Sequence, residues 1–511
     1  MNTIDDLYSK LTNFAVSQPT KPCLKNQDGH SLSYFEIWQS IQAANFYLKN
    51  LGIGDGDSIL VLLPNSIDQA VLFLASICTG LQFSPLACMS TIFEIESTIA
   101  NVNPVHIFIG DNLPMEKINE IQSLGLATTL IPLNTNLVWL PEKSEPISFK
   151  AGKLLISTSG STGKSKVVVI NSSSLWQSAA DFTTFHNNRL IDAIYWNYLP
   201  MSYLGGLFNL LLIPLATGAT ILIDEPFSGS TFIKFWHMVD KFRINAIWLV
   251  PSILRGLNQL AFSVKKETSE RIKICFIGTA PVTRDEKELF YANFGIQAIE
   301  NYGLTETTFI SSEVSRSLPI AGDSVEGFVG QILPWVQVVC KHSENGIADP
   351  KFMEIWIKSP YLMEGYLESA NSNADLTLDS DGYFDTGDLG YVQDNNLILT
   401  GRKKDIIKKG GQLINLLELE HLANRIDRVN HSIAIPIKHK FYGESFVLVV
   451  QLNEGEFLTE SEISAELHKQ VSKFKWPEKI VFVDKIPRTE SGKINRPALR
   501  DTILKMVQNA E

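Results

Sequence analysis

The chain has 511 residues, 45% hydrophobic and 19% charged, a globular composition with room for two or more domains that excludes a disordered or fibrous chain. Its formal net charge of −11 and isoelectric point near 5.4 argue against nucleic acid or an anionic membrane as the main partner, while allowing a local basic patch. Cys23, Cys78, Cys88, Cys275 and Cys340 are scattered, without a C-x-x-C pair. They read as reduced thiols of a cytoplasmic protein with no zinc site, and the acidic N-terminus Met1-Asn-Thr-Ile-Asp-Asp lacks the basic residues of an export signal.

In chain order, Ser33-x-x-Glu36 is a capping box that opens a helix running to Gly52, with Trp38, Ile41, Tyr47 and Leu48 facing the core. Ser58 to Leu63 reads as a buried strand, Ser66 to Thr79 as a helix closed by Gly80, and Phe83 to Leu86 as a strand. Thr91-x-x-Glu94 is a second capping box, and Val105 to Ile109 a further strand. This alternation predicts parallel sheet built from βαβ units. It resumes with strands at Ala219 to Ile223, Ala246 to Val250 and Ile272 to Ile277. Two long uncharged stretches, Ala70 to Met89 and Tyr195 to Ile223, are interrupted by Gly and Pro. A spanning helix needs about 20 predominantly apolar residues, so both read as core helix plus strand, with no membrane span.

Between these halves lies Ser157-Thr-Ser-Gly-Ser-Thr-Gly-Lys-Ser-Lys-Val167. Its hydroxyls donate hydrogen bonds, Gly160 and Gly163 let successive N–H groups converge on one anion, and Lys164 and Lys166 add positive charge. The stretch nearly matches the phosphate loop G-x-x-x-x-G-K-[ST], but Thr158 stands where the leading glycine belongs. The run Val167 to Ile170 favours a strand over the helix that a true P-loop opens. A turn between the strands Lys153 to Ile156 and Val167 to Ile170 is therefore expected.

Four more polar, glycine-punctuated stretches follow: Asn301-Tyr-Gly-Leu-Thr-Glu-Thr after a strand, Tyr383-Phe-Asp-Thr-Gly-Asp388, the basic segment from Gly401-Arg402 to Gly411, and Pro487-Arg-Thr-Glu-Ser-Gly-Lys493. With the loop at Ser157 to Val167, in this order and spacing, they resemble the adenylate-forming superfamily of acyl-CoA synthetases, peptide-synthetase adenylation domains and firefly-type luciferases. The resemblance spans essentially the whole chain. It implies an α/β fold: a large N-terminal domain of parallel-rich sheets flanked by helices, about residues 1–400, a hinge at 401–405, and a small mobile α+β domain at 406–511. A carboxylic acid would attack the α-phosphate of ATP, giving an acyl-adenylate and pyrophosphate. A thiol, that of CoA or of the phosphopantetheine of an acyl or peptidyl carrier protein, would then displace AMP.

The resemblance also assigns roles. Thr158, Ser159, Gly160, Ser161, Thr162, Gly163, Lys164 and Lys166 would cradle the β- and γ-phosphates. Tyr302 would stack on adenine, Thr305 contact the α-phosphate and Glu306 hold Mg²⁺. Asp388 and Arg402 fall at the ribose hydroxyls, and Lys493 bridges the substrate carboxylate and the α-phosphate. Such cations are needed because each pair of like charges costs roughly 4 kcal/mol at 4 Å with an effective dielectric of 20. Lys404 is the hinge, and Lys408 with Gly410-Gly411 would face the thiol arm after rotation. Lys403 and Lys409 read as solvated members of a basic hairpin. Tyr203, Gly278, Thr279, Ala280 and Gly303 would line the acid pocket. The lining segments carry no charge and no aspartate for an α-amino group, which favours an apolar, aromatic or fatty acid.

Three departures stand out. Ser165 and Val167 replace the usual proline and glycine of the phosphate loop, Leu416 replaces a common proline, and Tyr203 in Pro200-Met-Ser-Tyr203 replaces a gate histidine. A P-loop phosphotransferase releasing ADP and a catalytically silent binding module are the contrasting readings.

Overall fold

The structure is a computed structural model describing residues 6–133, 147–159, 165–187, 190–260, 264–314, 327–342, 353–367, 374–410, 412–488 and 494–508. It forms two compact units: Met1–Leu318 with Leu333–Val336 and Ser359–Thr377, and Pro319–Ile332 with Gln337–Lys358 and Leu378–Glu511.

In the first unit the capping boxes start the expected helices. Ser33 Oγ accepts from Glu36 N while Glu36 Oε2 accepts from Ser33 N, opening Tyr34–Asn50, and Thr91 with Glu94 does the same for Ile92–Val102. The core face is the expected one at Ile41 and Leu48 and differs at Trp38 and Tyr47. Tyr34, Ile37, Ile41 and Leu48 are buried, whereas Trp38 and Tyr47 are half-buried. Trp38 sits at the margin because its indole N–H donates to Thr12 Oγ1 at 3.0 Å. The uncharged stretches resolve as expected, one into the helix Ile67–Cys78 and strand Gln82–Pro85. In the other, strand Ile194–Asn197 leads to a buried π-helix, Gly205–Leu212, then the short helix Ile213–Ala216 and strand Thr220–Ile223. No helix among the described residues is long and apolar enough to cross a membrane.

Two sheets organise this unit. One runs Gly365–Leu367, Ser165–Asn171, Lys153–Ser159, Gln82–Pro85, Ser58–Leu62, His106–Gly110, Thr128–Ile131. It is antiparallel over its first three strands and parallel beyond them. The other carries parallel neighbours Ala298–Leu304, Ile274–Gly278, Ala246–Leu249, Ile194–Asn197, Thr220–Ile223 and Pro22–Lys25, with Thr308–Ser312 antiparallel to Ala298–Leu304 and Ser31–Ser33 antiparallel to Pro22–Lys25. The apolar runs are buried on both faces, as parallel strands covered by helices require.

The second unit is mainly antiparallel. Phe384–Gln393 pairs with Glu354–Lys358 on one side and Asn396–Arg402 on the other. A separate sheet contains Ile406–Lys409, Gln412–Asn415, Val429–His439 and Gly443–Leu452, with Lys479–Phe482 added in parallel. Helix Leu416–Asn424 buries Leu416 and Leu419 in the core of this sheet, so the residue that departs from proline is a core leucine.

Candidate active site

The strands Lys153–Ser159 and Ser165–Asn171 pair antiparallel, with Ser157 opposite Val167, Thr158 opposite Lys166 and Ser159 opposite Ser165. The β-branched run is a strand, as expected, and the turn expected between the two strands lies outside the described residues. Among the described residues no helix opens until Ser172, capped by Asn171. Gly160, Ser161, Thr162, Gly163 and Lys164 lie outside the described residues, and at Thr158 and Ser159 only the backbone is described. Lys166 is half-buried, its Nζ 4.7 Å from the ring centroid of Tyr366.

The Tyr302 motif was expected after a strand, but Asn301 to Leu304 are the last residues of strand Ala298–Leu304, and Thr305 to Thr307 form its turn into Thr308–Ser312. The register breaks between Tyr302 and Gly303. Gly303 is required there because a Cβ would stand 1.9 Å from Thr308 O. The turn is tied by Leu304 N–H donating to Thr307 Oγ1 at 3.0 Å, and Ser178 and Thr308 hydroxyls meet at 2.8 Å. Half-buried Glu306 accepts from Tyr366 O–H at Oε1 (2.7 Å), while its carbonyl accepts from Met363 N–H (2.8 Å). Burial, reinforced by Glu306, pushes the Tyr366 phenol up, so it stays a proton donor. Oε2 of Glu306 takes no hydrogen bond from the described residues.

At the base of this hairpin Lys287 Nζ lies 2.9 Å from Glu300 Oε2 and 2.6 Å from Glu313 Oε1. Glu313 Oε2 also accepts from Glu300 N–H at 2.8 Å. Burial pushes Glu300 up to about 7 against the opposing pull of Lys287. Burial pulls Lys287 down, but the two carboxylates outweigh it and hold the ammonium above the ordinary lysine range.

Three segments predicted for the acid pocket belong to this unit. Tyr203 is half-buried, its phenol pushed up to about 12 by burial, and its ring leans on Gly205, where a Cβ would lie 2.7 Å from Cε1. Phe208 of the π-helix meets Phe309 at 5.5 Å, and Trp248 stacks on Phe309 at 5.6 Å, forming a buried aromatic cluster. Gly278 ends its strand opposite Asn301, and Thr279 follows at φ +78°, a left-handed conformation that a β-branched residue rarely holds. Ala280 continues this connection towards helix Arg284–Phe294. The fold brings in one charge that the motif segments did not reveal. Arg255 donates to Pro281 O at 3.4 Å and pairs with Glu286. Burial would raise Glu286, but Arg255 outweighs it and keeps that carboxylate below the usual range.

In the second unit Asp388 and Arg402 are opposite one another across paired strands, joined at 2.8 Å between Oδ1 and Nε, with Asp388 buried and Arg402 exposed. Asp388 follows Gly387 at φ +70° in a turn closed by Gly387 N–H to Asp385 Oδ1 (2.9 Å). The basic segment corrects two expectations. Lys403 is half-buried and paired, its Nζ bridging Glu354 and Asp385, 2.8 Å from each. Lys409 is buried, donating to Trp476 O at 3.0 Å and pairing with Glu478 at 3.0 Å. Lys404, in the single 3₁₀ turn Lys403–Asp405, is exposed, its ammonium pulled down by partial desolvation and then by Arg402. Lys408 is exposed, while its N–H is held by Glu444 at 2.7 Å. Gly411 and Lys493 lie outside the described residues. Just beyond, Arg496 pairs with buried Glu420 at 2.7 Å.

Sequence reasoning missed Tyr366 and Arg255. Tyr366 lies 60 residues from Glu306 and gave no signal beyond an aromatic beside a glycine. No cluster of three His, Cys, Asp or Glu side chains suited to a metal ion occurs among the described residues. Glu306 alone, with an oxygen left over, fits Mg²⁺, which is bound through one or two carboxylates plus substrate phosphates.

The chain is similar to an oxalate–CoA ligase of Arabidopsis thaliana, 28% identical over 516 residues covering 96% of this chain and 97% of that protein. It is also similar to a sulfoacetate–CoA ligase of Cupriavidus necator, 25% identical over 508 residues, 96% and 97% covered. Among solved structures, ATP-bound MatB from Rhodopseudomonas palustris superposes with a TM-score of 0.86 at 25% identity, covering 98% of this chain and 99% of that one. Residues 11–367 match the AMP-binding enzyme family and residues 418–493 its C-terminal domain. The chain therefore belongs to the AMP-binding enzymes, within the adenylate-forming superfamily of acyl-CoA synthetase-like proteins.

Proposed function

We propose that this enzyme activates a carboxylic acid with ATP, releasing pyrophosphate, and passes the acyl group from the adenylate to the thiol of CoA. The observation that carries the reading is Glu306, fixed on a tight turn four residues after Tyr302, one oxygen bonded and the other left for a cation. Bound Mg²⁺ would neutralise phosphate charge as the acid oxygen approaches. Tyr302 would support adenine, Thr305 the α-phosphate, and Lys166 with Thr158 to Lys164 the outer phosphates. Asp388, oriented by Arg402, would accept from the ribose hydroxyls. Lys493 would hold the acid oxygen and α-phosphate together in the transition state.

In this reading residues 1–400 form the adenylation core, 401–405 the hinge and 406–511 the mobile domain. The domain would present Lys493 first and the Lys408 to Gly411 turn second. CoA is preferred to a carrier protein because the named relatives are CoA ligases. An apolar or aromatic acid is preferred because the lining segments carry no charge and Arg255 is already matched by Glu286. The five cysteines form no disulfide, which fits a reducing compartment such as the cytoplasm.

The test is acid-dependent ATP–pyrophosphate exchange over a panel of acids, then thioester formation with CoA or a carrier protein. Release of ADP in place of AMP would overturn the reading. Single-turnover kinetics of Lys404→Pro and Gly411→Leu test the division of labour. Both should form adenylate at near-normal rates and transfer it poorly; equal loss in both steps would rule out the alternation.

A further inference from the structure

Tyr366 belongs to the short strand Gly365–Leu367, which is fastened on both edges. It pairs antiparallel with Ser165–Asn171, Tyr366 opposite Val168, and on its other edge exchanges two bonds with Asp375 at 2.9 and 3.0 Å. Gly365 is needed for that second contact, since a Cβ would stand 2.4 Å from the Asp375 carbonyl carbon. Just before it, Glu364 N–H donates to Val169 O at 2.7 Å, and the Glu364 carboxylate binds Lys153 Nζ at 2.7 Å and Asn171 Nδ2 at 3.0 Å. The segment is thus welded to the phosphate hairpin. It also reaches the second hairpin, holding Glu306 by its backbone through Met363 and by its side chain through Tyr366.

We infer that Tyr366 is a positioning residue that keeps Glu306 aimed at the metal–nucleotide and apart from Lys166. This rests on the role proposed above for Glu306. The hydroxyl occupies Oε1 and so fixes the carboxylate plane with Oε2 outward. A charge-assisted bond of this kind restricts the rotamers that a cation would otherwise have to freeze. The ring does a second job: Lys166 Nζ sits over its face at 4.7 Å, a cation–π contact. Lys166 and Glu306 carry opposite charge and both touch Tyr366, yet they do not pair with each other among the described residues. The aromatic ring keeps the phosphate-binding cation and the metal-binding anion from quenching one another.

The test uses the full-length protein, ATP and Mn²⁺ as a spectroscopically visible probe, with metal affinity of the ATP complex read by electron paramagnetic resonance. Tyr366→Phe keeps the ring and loses the hydroxyl, so Mn²⁺ affinity should fall about tenfold while metal-free ATP binding and thermal stability hold. Tyr366→Leu should in addition weaken metal-free ATP binding, about threefold or more, as Lys166 turns to Glu306. In a Glu306→Gln background, Tyr366→Phe should cost nothing further. Unchanged Mn²⁺ affinity in Tyr366→Phe, or the same loss in the Glu306→Gln background, overturns the inference. Wild-type Mn²⁺ affinity in Glu306→Gln itself would instead overturn the metal role of Glu306.

Discussion

The turn that carries Glu306 and the basic segment from Arg402 to Gly410 are both short polar connections between strands, yet they are held in opposite ways. Around Glu306 the turn is tied at several points: Thr307 closes it, Thr308 meets Ser178, and the carboxylate and carbonyl of Glu306 are both bonded to the 363–366 segment. In the basic segment the two outer lysines are anchored and the two inner ones released. Lys403 and Lys409 are clamped by carboxylates, and Lys404 and Lys408 extend outward. Strand parity separates Lys408 from Lys409, since neighbouring side chains leave opposite faces. A site that must meet a developing charge without reorganising is built in the first way, and a segment proposed to move needs the second.

The sharpest way to break this contrast is to remove the lysine assigned to the mobile side of the chemistry. Lys493→Ala should lower adenylation by a factor on the order of 10²–10³ with the melting temperature unchanged. Wild-type pyrophosphate exchange would sink its assignment. On the fixed side, Glu306→Gln keeps shape and removes charge, so turnover should fall about 10–100-fold with stability retained. A protein that loses stability while its folded fraction turns over normally would make Glu306 structural.

Within the basic segment the two adjacent lysines should diverge. Lys409→Met removes the lysine from Glu478, leaving it Ser445 and His439, and should cost about 1–3 kcal/mol, a value discounted because Glu478 is partly exposed. Lys408→Met should leave the melting temperature within about 1 °C, a surface change of under 0.5 kcal/mol, and slow only thioester formation. Equal melting curves for both variants would remove the distinction drawn between them.

The smallest effect concerns the ion cluster beneath the hairpin. Glu300 is pushed up to about 7 by burial, so the folded protein holds a proton there that the unfolded chain has released. Its contribution to stability is full below the ordinary glutamate range and declines as pH rises through about 7. Glu300→Gln should flatten the melting-temperature profile between about pH 5 and 8, while retaining the Lys287–Glu313 pair. An unchanged slope would show that Glu300 remains ionised throughout.

What the sequence determined by itself was whatever depends on neighbours a few residues apart. The capping boxes at Ser33 and Thr91 could be read because each joins residues three apart, and the β-branched run Val167 to Ile170 favoured a strand where a P-loop needs a helix. The order and spacing of the polar motifs identified the family. The core face of the first capped helix was misjudged at Trp38 because that residue found a partner in Thr12, and nothing in the helical spacing encodes that bond. Only tertiary structure decided that Asp388 stands opposite Arg402, that Lys403 and Lys409 are bound, that Arg255 reaches Pro281, and that Tyr366 touches both Glu306 and Lys166. For Asp388, Arg402, Lys409 and Tyr366, which stand on strands, a register shift of one residue would turn each side chain to the opposite face; all these contacts arise from the sum of the packing, which no single stretch of sequence carries.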